Sequence, residues 1–288
     1  MTQPALNGEC KLEADRKSAD FPNVPADIKE LTIMMVRPSE AAELSLLGRR
    51  LKHLTKLMLQ YGVIERLDFL ESFHSIRTLI CQLHDLKDYT GIGHCVKLTH
   101  LSLSASLSSV GSLAFLRHLS DLEWLHLEGP NPSKGIDKIE SLQKVKRLSL
   151  YAPQWRMEQL PLHFPGLEDL SISQGGYHSL YFVASLEKLT ALDIAYATKL
   201  ADFDAIGRLP HLRSLRIGHA ISSLQSCSQF GCSSTVEQIR ITSCTKLKDI
   251  RSLADWPALL EAKIYDCPLI PVAQIEMLRK AGKTVNGK

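Results

Sequence analysis

Leu98-Thr-His-Leu101-Ser-Leu103 is the stretch that decides the fold, because the same L-x-x-L-x-L pattern returns along most of the 288-residue chain. The pattern recurs at residues 54–59, 122–127, 167–172, 189–194 and 212–217. The middle apolar residues of the successive units are Leu31, Leu57, Leu79, Leu101, Leu125, Leu148, Leu170, Leu192, Leu215, Ile239 and Ala262. Their separations are 26, 22, 22, 24, 23, 22, 22, 23, 24 and 23 residues. A step this constant predicts a repeat architecture.

Each unit is expected to contribute one short strand and one helical return. In a strand alternate side chains point to opposite faces, so the second and third leucines face inward and their neighbours outward. Apolar residues spaced by about three, as in Leu247, Ile250 and Leu253, suit a 3₁₀ or helical segment along the back. The prediction is an α/β solenoid of about eleven repeats, a curved right-handed stack with a parallel sheet on the concave face.

This pattern resembles the leucine-rich-repeat family, and most closely its short 22-residue, internalin-like class, over residues 28–270. The family usually places Asn or Cys three residues after the last strand leucine, where it bonds the next turn. Only Cys244 and Cys267 match here, and the other positions include Gly175, Ala197 and Ala220. We therefore expect water or backbone groups, rather than an asparagine ladder, to satisfy these turns.

The repeats need caps at both ends, because an open end would expose an apolar cross-section to water. We expect a single domain over residues 1–288, with an N-terminal cap at 1–27 and a C-terminal helical cap at 271–288. Ser39 is the expected N-cap of a helix that lengthens the first unit. A helix is expected over residues 271–281, followed by an edge strand at Thr284 and Val285.

Composition and charge exclude several classes of protein. The net charge of +3 is too small to indicate nucleic acid or an anionic membrane, and no apolar run is long enough to cross a bilayer. The seven cysteines have no framework spacing, which is typical of a reducing compartment. We therefore expect a cytoplasmic, soluble protein with no membrane segment, no metal and no cofactor.

Two sets of outward-facing residues are predicted to contact a partner. The central set joins aromatic and charged side chains with the rim of the loops that follow the strands: Trp124, His126, Glu128, Arg147, Tyr151, Trp155, Arg156 and Tyr177. Trp, Tyr and Arg are the residues that most often carry binding energy at protein interfaces. The second set consists of residues that share one row and change sign of charge along it, Asp193, Arg216 and Arg240, together with Asp169 in the row before it. Such a sign change could orient an oppositely charged partner.

The function predicted from these features is non-enzymatic recognition of another protein, as an adaptor, an inhibitor or immunity-type partner, or an effector, by a chain that is monomeric when unbound. Such binding is also what the family resemblance implies. Two alternatives stay open: a structural or self-associating repeat module, and a small-ligand or enzymatic site in the concave face. Ser102, His126 and Asp193 share one row, but Asp193 is three strands from His126, too far to orient it for catalysis.

Overall fold

The computed structural model describes residues 2–3, 9–12, 18–105, 112–128, 138–153 and 156–287. The chain divides into two compact units, Met1–Val145 and Lys146–Lys288. Each unit is described by itself below.

Among its described residues, the first unit contains seven strands of a mostly parallel sheet. They are β1 (Thr2–Gln3), β2 (Glu9–Leu12), β3 (Glu30–Met34), β4 (Lys56–Gly62), β5 (Thr78–Leu83), β6 (His100–Ala105) and β7 (Trp124–Glu128). β1 pairs with β2 in antiparallel fashion, and every later pairing up to β6 with β7 is parallel.

The second unit also contains seven described strands, and all of their pairings are parallel. They are β8 (Arg147–Tyr151), β9 (Asp169–Ser173), β10 (Ala191–Ala195), β11 (Ser214–Gly218), β12 (Gln238–Thr242), β13 (Glu261–Tyr265) and β14 (Thr284–Asn286). Each pairs with its neighbour in sequence, from β8 with β9 to β13 with β14.

The eleven predicted strands are confirmed, and so is their register. In the first unit Leu31 pairs with Leu57 and the row continues to Leu125, while in the second unit the row runs from Leu148 to Ala262. All eleven marker residues are buried, with at most 2% of their surface exposed. Because one rung cannot bury its apolar face alone, the stacked leucines share one core within each unit.

The returns along the back of the sheet are short 3₁₀ segments with a few helical turns. The segments that follow strands are Asp68–Ser72, Thr90–His94, Leu113–His118, Met157–Gln159, Tyr181–Ser185, Asp204–Arg208, Cys227–Phe230 and Arg251–Asp255, and helix α2 spans Leu160–His163. Their aromatic side chains pack edge to face between repeats, as Phe230 does on Phe203 at 5.7 Å and on Trp256 at 6.3 Å between ring centroids. Such edge-to-face pairs contribute beyond the area that they bury.

The N-terminal end is closed by a 3₁₀ segment, Ser18–Asn23, and by helix α1, Ala41–Arg50. The guanidinium group of Arg50 ties them together, because it donates hydrogen bonds to the carbonyl oxygens of Phe21, Pro22 and Val24 at 2.6–2.8 Å. The prediction that Ser39 caps this helix is wrong. A 3₁₀ turn, Pro38–Glu40, precedes α1, and the Glu40 carboxylate accepts the backbone N–H of Arg37 at 2.9 Å.

The C-terminal end is closed by helix α3, Val272–Lys280, whose Ile275 and Leu278 are buried, and by the edge strand β14. Gln274 on α3 substitutes for the next repeat. Its side chain accepts the N–H of Ile250 at 2.8 Å and donates to the carbonyl of Lys248 at 3.2 Å. These two bonds satisfy backbone groups that a further repeat would otherwise pair.

Left-handed residues end many of the strands, although few of them are of a type that favours this conformation. Non-glycine residues with positive φ are Met35, Tyr61, Ala152, Gln174, Tyr196, His219, Ala220, Ser243 and Asp266. In the second unit the N–H at this position donates to the end of the next repeat's strand, as Gln174 does to Ala195 at 2.8 Å and His219 to Thr242 at 2.8 Å. Backbone groups therefore extend the hydrogen-bond ladder one residue beyond the strands.

Candidate recognition surface

The residues predicted to form one central patch belong to both compact units. Trp124, His126 and Glu128 lie on β7 of the first unit, while Arg147 and Tyr151 lie on β8 of the second. The geometry of each group is therefore described within its own unit, and their union into one patch stays a prediction.

In the first unit the ring of Trp124 lies beside the rings of His100 and His126. We call these three residues together with Glu128 the Trp124 cluster. The Trp124 ring is 6.1 Å from the His100 ring on β6 and 6.1 Å from the His126 ring, with which it is nearly parallel. Glu128 closes the row, because its Oε2 accepts the hydroxyl of Ser104 at 2.7 Å and lies 3.9 Å from His126 Nε2. The side chains point outward because they alternate with the buried Leu125 and Leu127.

Burial lowers the pKa of His126 from its ordinary value, and the nearby Glu128 carboxylate opposes that shift only in part. The imidazole is therefore neutral at pH 7. A neutral, half-buried ring beside Trp124 offers a flat, mostly apolar surface with a polar edge, which suits contact with a protein partner.

In the second unit Arg147 and Tyr151 both lie on the outward face of β8. Arg147 is exposed and pairs in register with Asp169 on β9. The Tyr151 hydroxyl accepts a hydrogen bond of 2.5 Å from the side-chain amide of Gln174, the left-handed residue that follows β9. This bond fixes the ring of Tyr151 at the edge of the sheet where the strands end.

The loop residues of the predicted rim differ in exposure, and one of them lies outside the described residues. Trp155 lies outside the described residues, and Arg156 is exposed immediately before Met157–Gln159. Tyr177 is half-buried: its ring packs edge-on against Phe182 at 5.9 Å, its hydroxyl is buried, and burial raises the pKa of that hydroxyl. Gly175, with φ of +115°, permits this inward turn, since a Cβ there would lie 2.7 Å from the Tyr177 ring. The role of Tyr177 at the rim stays a prediction, and the exposed part of its ring is the part that could contact a partner.

Strand register aligns three residues of the charged set, whose role in binding stays a prediction. Asp193 on β10 pairs with Arg216 on β11, which pairs with Arg240 on β12. Arg216 Nη1 is 3.9 Å from Asp193 Oδ2, at the limit of an ion pair. Lys263, the next residue of the row, is already paired with Glu261 at 3.0 Å.

These charged side chains border a cavity of about 530 Å³ on the exposed face of β10 to β13. The lining residues are Asp193, Ala195, Arg216, Ile217, Gly218, His219, Arg240, Thr242, Tyr265 and Asp266. Small side chains give the cavity its depth, because Ala195, Gly218 and Thr242 occupy paired positions at the ends of three adjacent strands. Gly218 is required by this close packing, since a Cβ there would lie 2.5 Å from the carbonyl oxygen of Thr242.

The aromatic residues that follow β10 and β11 were not predicted from the sequence. The rings of Tyr196 and His219 stack with 4.9 Å between centroids and 13° between planes, and both residues are left-handed. Tyr196 is 46% exposed, so this stacked pair is accessible. The missed signal lies one residue beyond each strand, where Tyr196, His219 and Asp266 recur at the step of the repeat.

Burial also raises the pKa of the carboxyl groups of Asp169 and Asp193. For Asp169 the opposing influences are Arg147 and Arg216, and for Asp193 the largest opposing influence is Arg216. Both carboxyl groups are thus held in surroundings that disfavour their charged form. A cationic group of a binding partner, placed beside these two carboxyl groups, would lower the free-energy cost of their ionised form.

Within the part of the chain that the structure describes, no group of three His, Cys, Asp or Glu side chains is placed to hold a metal ion. The cysteines there are free thiols, and Cys227 is buried in the core. Among the described helices none is both long and apolar enough to cross a membrane.

Similarity to known proteins is found among solved structures. No protein-family model matches the sequence, and no curated protein sequence matches it. Among solved structures, an internalin (InlF) from Listeria monocytogenes is similar over 90% of this chain and 71% of its own, with 17% identity and a TM-score of 0.59. Internalin C2 from the same organism covers 78% of this chain and 84% of its own, with 18% identity and a TM-score of 0.41. The InlF likeness shows the leucine-rich-repeat fold that the resemblance predicts.

Proposed function

We propose that this leucine-rich-repeat chain is a recognition module that binds another protein through the exposed face of its sheet and the turns that follow the strands. One observation carries the proposal: Asp193, Arg216 and Arg240 are aligned by strand register beside a cavity of about 530 Å³. Polar side chains at fixed spacing on a rigid sheet recognise a partner with little loss of conformational entropy.

The Trp124 cluster supports the same function in the first unit. Trp124 has aromatic neighbours on both sides and remains partly accessible on the outward face of β7. A half-buried tryptophan held in place by its neighbours is typical of residues that dominate binding energy at interfaces. We expect the two surfaces to contact the same partner or two domains of one partner.

The size of the surface is sufficient for a specific complex. A standard interface buries about 800 Å² on each partner and involves roughly 20–30 residues on each side. Seven strands in each unit present outward side chains at alternate positions, together with the turns that follow them. A partner that covers the face of β8 to β13 would meet this requirement.

The test is affinity capture with the full chain as bait and matched surface variants. Arg240→Glu and Trp124→Ala alter the exposed face. Arg208→Glu and Tyr181→Ala alter exposed residues of the back-side segments, where Arg208 pairs only with Asp204 among described groups and Tyr181 is 73% exposed. We expect one or more proteins to be retained by the wild type and by the back-side variants and to be lost with the face variants.

Equal retention by all four variants would remove the proposal. So would a sedimentation coefficient that rises with protein concentration in the absence of any partner and no longer rises in Arg240→Glu. That second result would assign the exposed face to self-association instead.

A further inference from the structure

We propose that the cavity on β10 to β13 binds a carboxylate side chain from an extended segment of the partner, held between Arg216 and Arg240. This inference rests on the proposed function, and it adds the chemical group that this face recognises.

The first argument is the juxtaposition of two like charges on adjacent strands. Arg216 and Arg240 are directly paired positions on adjacent parallel strands, whose backbones lie about 4.8 Å apart. Like charges at opposed positions of a sheet are unfavourable. No carboxylate in the described part of the chain lies within ion-pair distance of Arg240, and the only one that reaches Arg216 is Asp193 at 3.9 Å. An anion between the two guanidinium groups would relieve their repulsion.

The second argument is that one of these guanidinium groups is already positioned. Arg240 Cζ is 5.3 Å from the ring centroid of Tyr265, at the end of the neighbouring strand β13. Stacking over the ring restricts the side chain while it leaves the N–H donors of the guanidinium edge free. Less side-chain entropy is then lost when these donors bind a planar group.

The third argument selects a carboxylate over a phosphate. The acidic side chains of Asp193 and Asp266 line the same cavity as the two arginines. A phosphate monoester carries close to two negative charges at neutral pH and would be repelled more strongly by them than a carboxylate with one. A carboxylate is also planar and accepts two parallel N–H donors from one guanidinium group.

The fourth argument selects a side chain over a chain terminus or a small free ligand. The cavity extends over four strands, and the row of Arg216 and Arg240 continues outward to Ser171 on β9 and Lys263 on β13. A polypeptide can therefore enter over one end and leave over the other. Small-molecule sites are mostly lined by apolar groups, whereas charged groups border this cavity.

The aspartates beside Arg216 also predict the charge of a neighbouring residue in the partner segment. Asp169 and Asp193 lie on adjacent strands next to Arg216, and burial disfavours their ionised forms. A basic residue close to the bound carboxylate would meet these two aspartates. The expected segment therefore carries an acidic and a basic side chain within a few residues of each other.

The test uses the full chain and four probes, followed by NMR signals of the arginine Nε–Hε groups. The probes are an acetylated and amidated pentapeptide with a central glutamate among alanines, its glutamine counterpart, penta-alanine with a free C-terminal carboxylate, and inorganic phosphate. We expect the glutamate peptide to shift the signals of Arg216 and Arg240 saturably, with a dissociation constant on the order of millimolar. The glutamine peptide is expected to bind at least about tenfold more weakly.

Variants make the assignment specific. Arg240→Gln and Arg216→Gln should each abolish saturable binding of the glutamate peptide. The matched control, Arg208→Gln, should retain it, since Arg208 lies in the back-side segment Asp204–Arg208. Thermal unfolding measured on all three variants shows that the loss of binding is not a loss of fold.

Equal binding of the glutamine peptide, preference for phosphate, or preference for the free C-terminus would each overturn the carboxylate side-chain assignment. Affinity capture of the partner distinguishes a failure of the carboxylate inference from a failure of the proposed function. If Arg240→Glu still loses the partner while no probe binds, the recognition function stands and the carboxylate inference falls. If neither the partner nor a probe distinguishes wild type from Arg240→Glu, both fall.

Discussion

The guanidinium group of Arg240 stands over the ring of Tyr265, with 5.3 Å between Cζ and the ring centroid. The two residues belong to neighbouring strands, β12 and β13, so the contact joins successive repeats across the exposed face. Tyr265 thus restricts the side chain of Arg240, which we propose to bind the partner, and Tyr265 itself lines the cavity.

Removing this support is expected to weaken binding without unfolding the protein. Tyr265→Ala should weaken binding of the glutamate peptide by about 1 kcal/mol, the size of a partly exposed cation–π contact. Tyr265→Phe should keep near wild-type affinity, because it retains the ring. NMR titration of both variants checks this, and equal losses in Tyr265→Phe and Tyr265→Ala would show that the hydroxyl, rather than the ring, matters.

Truncation of Trp124 tests the first unit. Trp124→Ala should weaken binding of the captured partner by about 2 kcal/mol or more, because aromatic anchors dominate interface energies. The free energy of unfolding should change by less than about 1 kcal/mol, since the indole is only half-buried. Surface plasmon resonance and urea unfolding measure the two effects. Tyr181→Ala, at a 73% exposed position on the back, is the aromatic control and should leave both unchanged.

The contributions of Asp193 and Asp249 to folding stability are expected to change with pH in opposite directions. Burial raises the pKa of Asp193 in the folded state, so its ionised form costs stability at neutral pH and this cost disappears as the carboxyl group is protonated. Asp193→Asn should therefore unfold at an equal or higher temperature than the wild type at pH 7. The difference should shrink as the pH falls through the carboxyl range, and a lower melting temperature at pH 7 would contradict this account.

Asp249 is the matched contrast. Hydrogen bonds from the side chain and the backbone N–H of Arg251 lower its pKa to about 2. Its contribution to stability is present above the unfolded pKa of about 3.9 and is lost as the pH falls towards about 2. Asp249→Asn should therefore lower the melting temperature at pH 7 and match the wild type near pH 2. Differential scanning calorimetry across this range checks both variants.

A pair of alanines tests the left-handed turns. Ala152 has φ of +51° at the position after β8, whereas Ala195 is the last residue of β10 and has no positive φ. A left-handed alanine costs roughly 1–2 kcal/mol, and glycine avoids that cost at an entropic penalty of about 0.5–1 kcal/mol. Ala152→Gly should therefore raise the free energy of unfolding by about 0.5 kcal/mol, and Ala195→Gly should lower it by about 0.5–1 kcal/mol. Urea unfolding midpoints compare them, and a loss in both would show that the turn carries no strain.

The repeat and its register could be predicted from sequence because both depend on leucine spacing. A one-residue slip would turn Leu192 outward and Asp193 inward, so burial of one face fixes the pairing of all eleven marker strands. The charged row of Asp193, Arg216 and Arg240 followed directly from that register. Their alignment could therefore be predicted without any knowledge of the side-chain conformations, whereas their role in binding stays a prediction.

The edge of the face could not be predicted in the same way. Tyr196 and His219 adopt a left-handed conformation because their N–H groups bond the next repeat, and tyrosine and histidine have no strong local preference that would indicate this. Tyr177 turned inward because Gly175 leaves room for its ring. Ser39 does not cap α1 because it lies inside the 3₁₀ turn Pro38–Glu40, whose first residue is preceded by Arg37 as the N-cap. Each of these outcomes depends on contacts between turns, which a pattern of spacing does not contain.

The turns after the strands are held by main-chain donors such as the N–H groups of Gln174 and His219. A side chain that makes no structural bond can be exchanged without opening the stack. Mutation can therefore change the exposed side chains of these turns in one repeat at a time, while the leucine core stays the same. A lineage carrying such a chain could change what it binds faster than it changes its architecture.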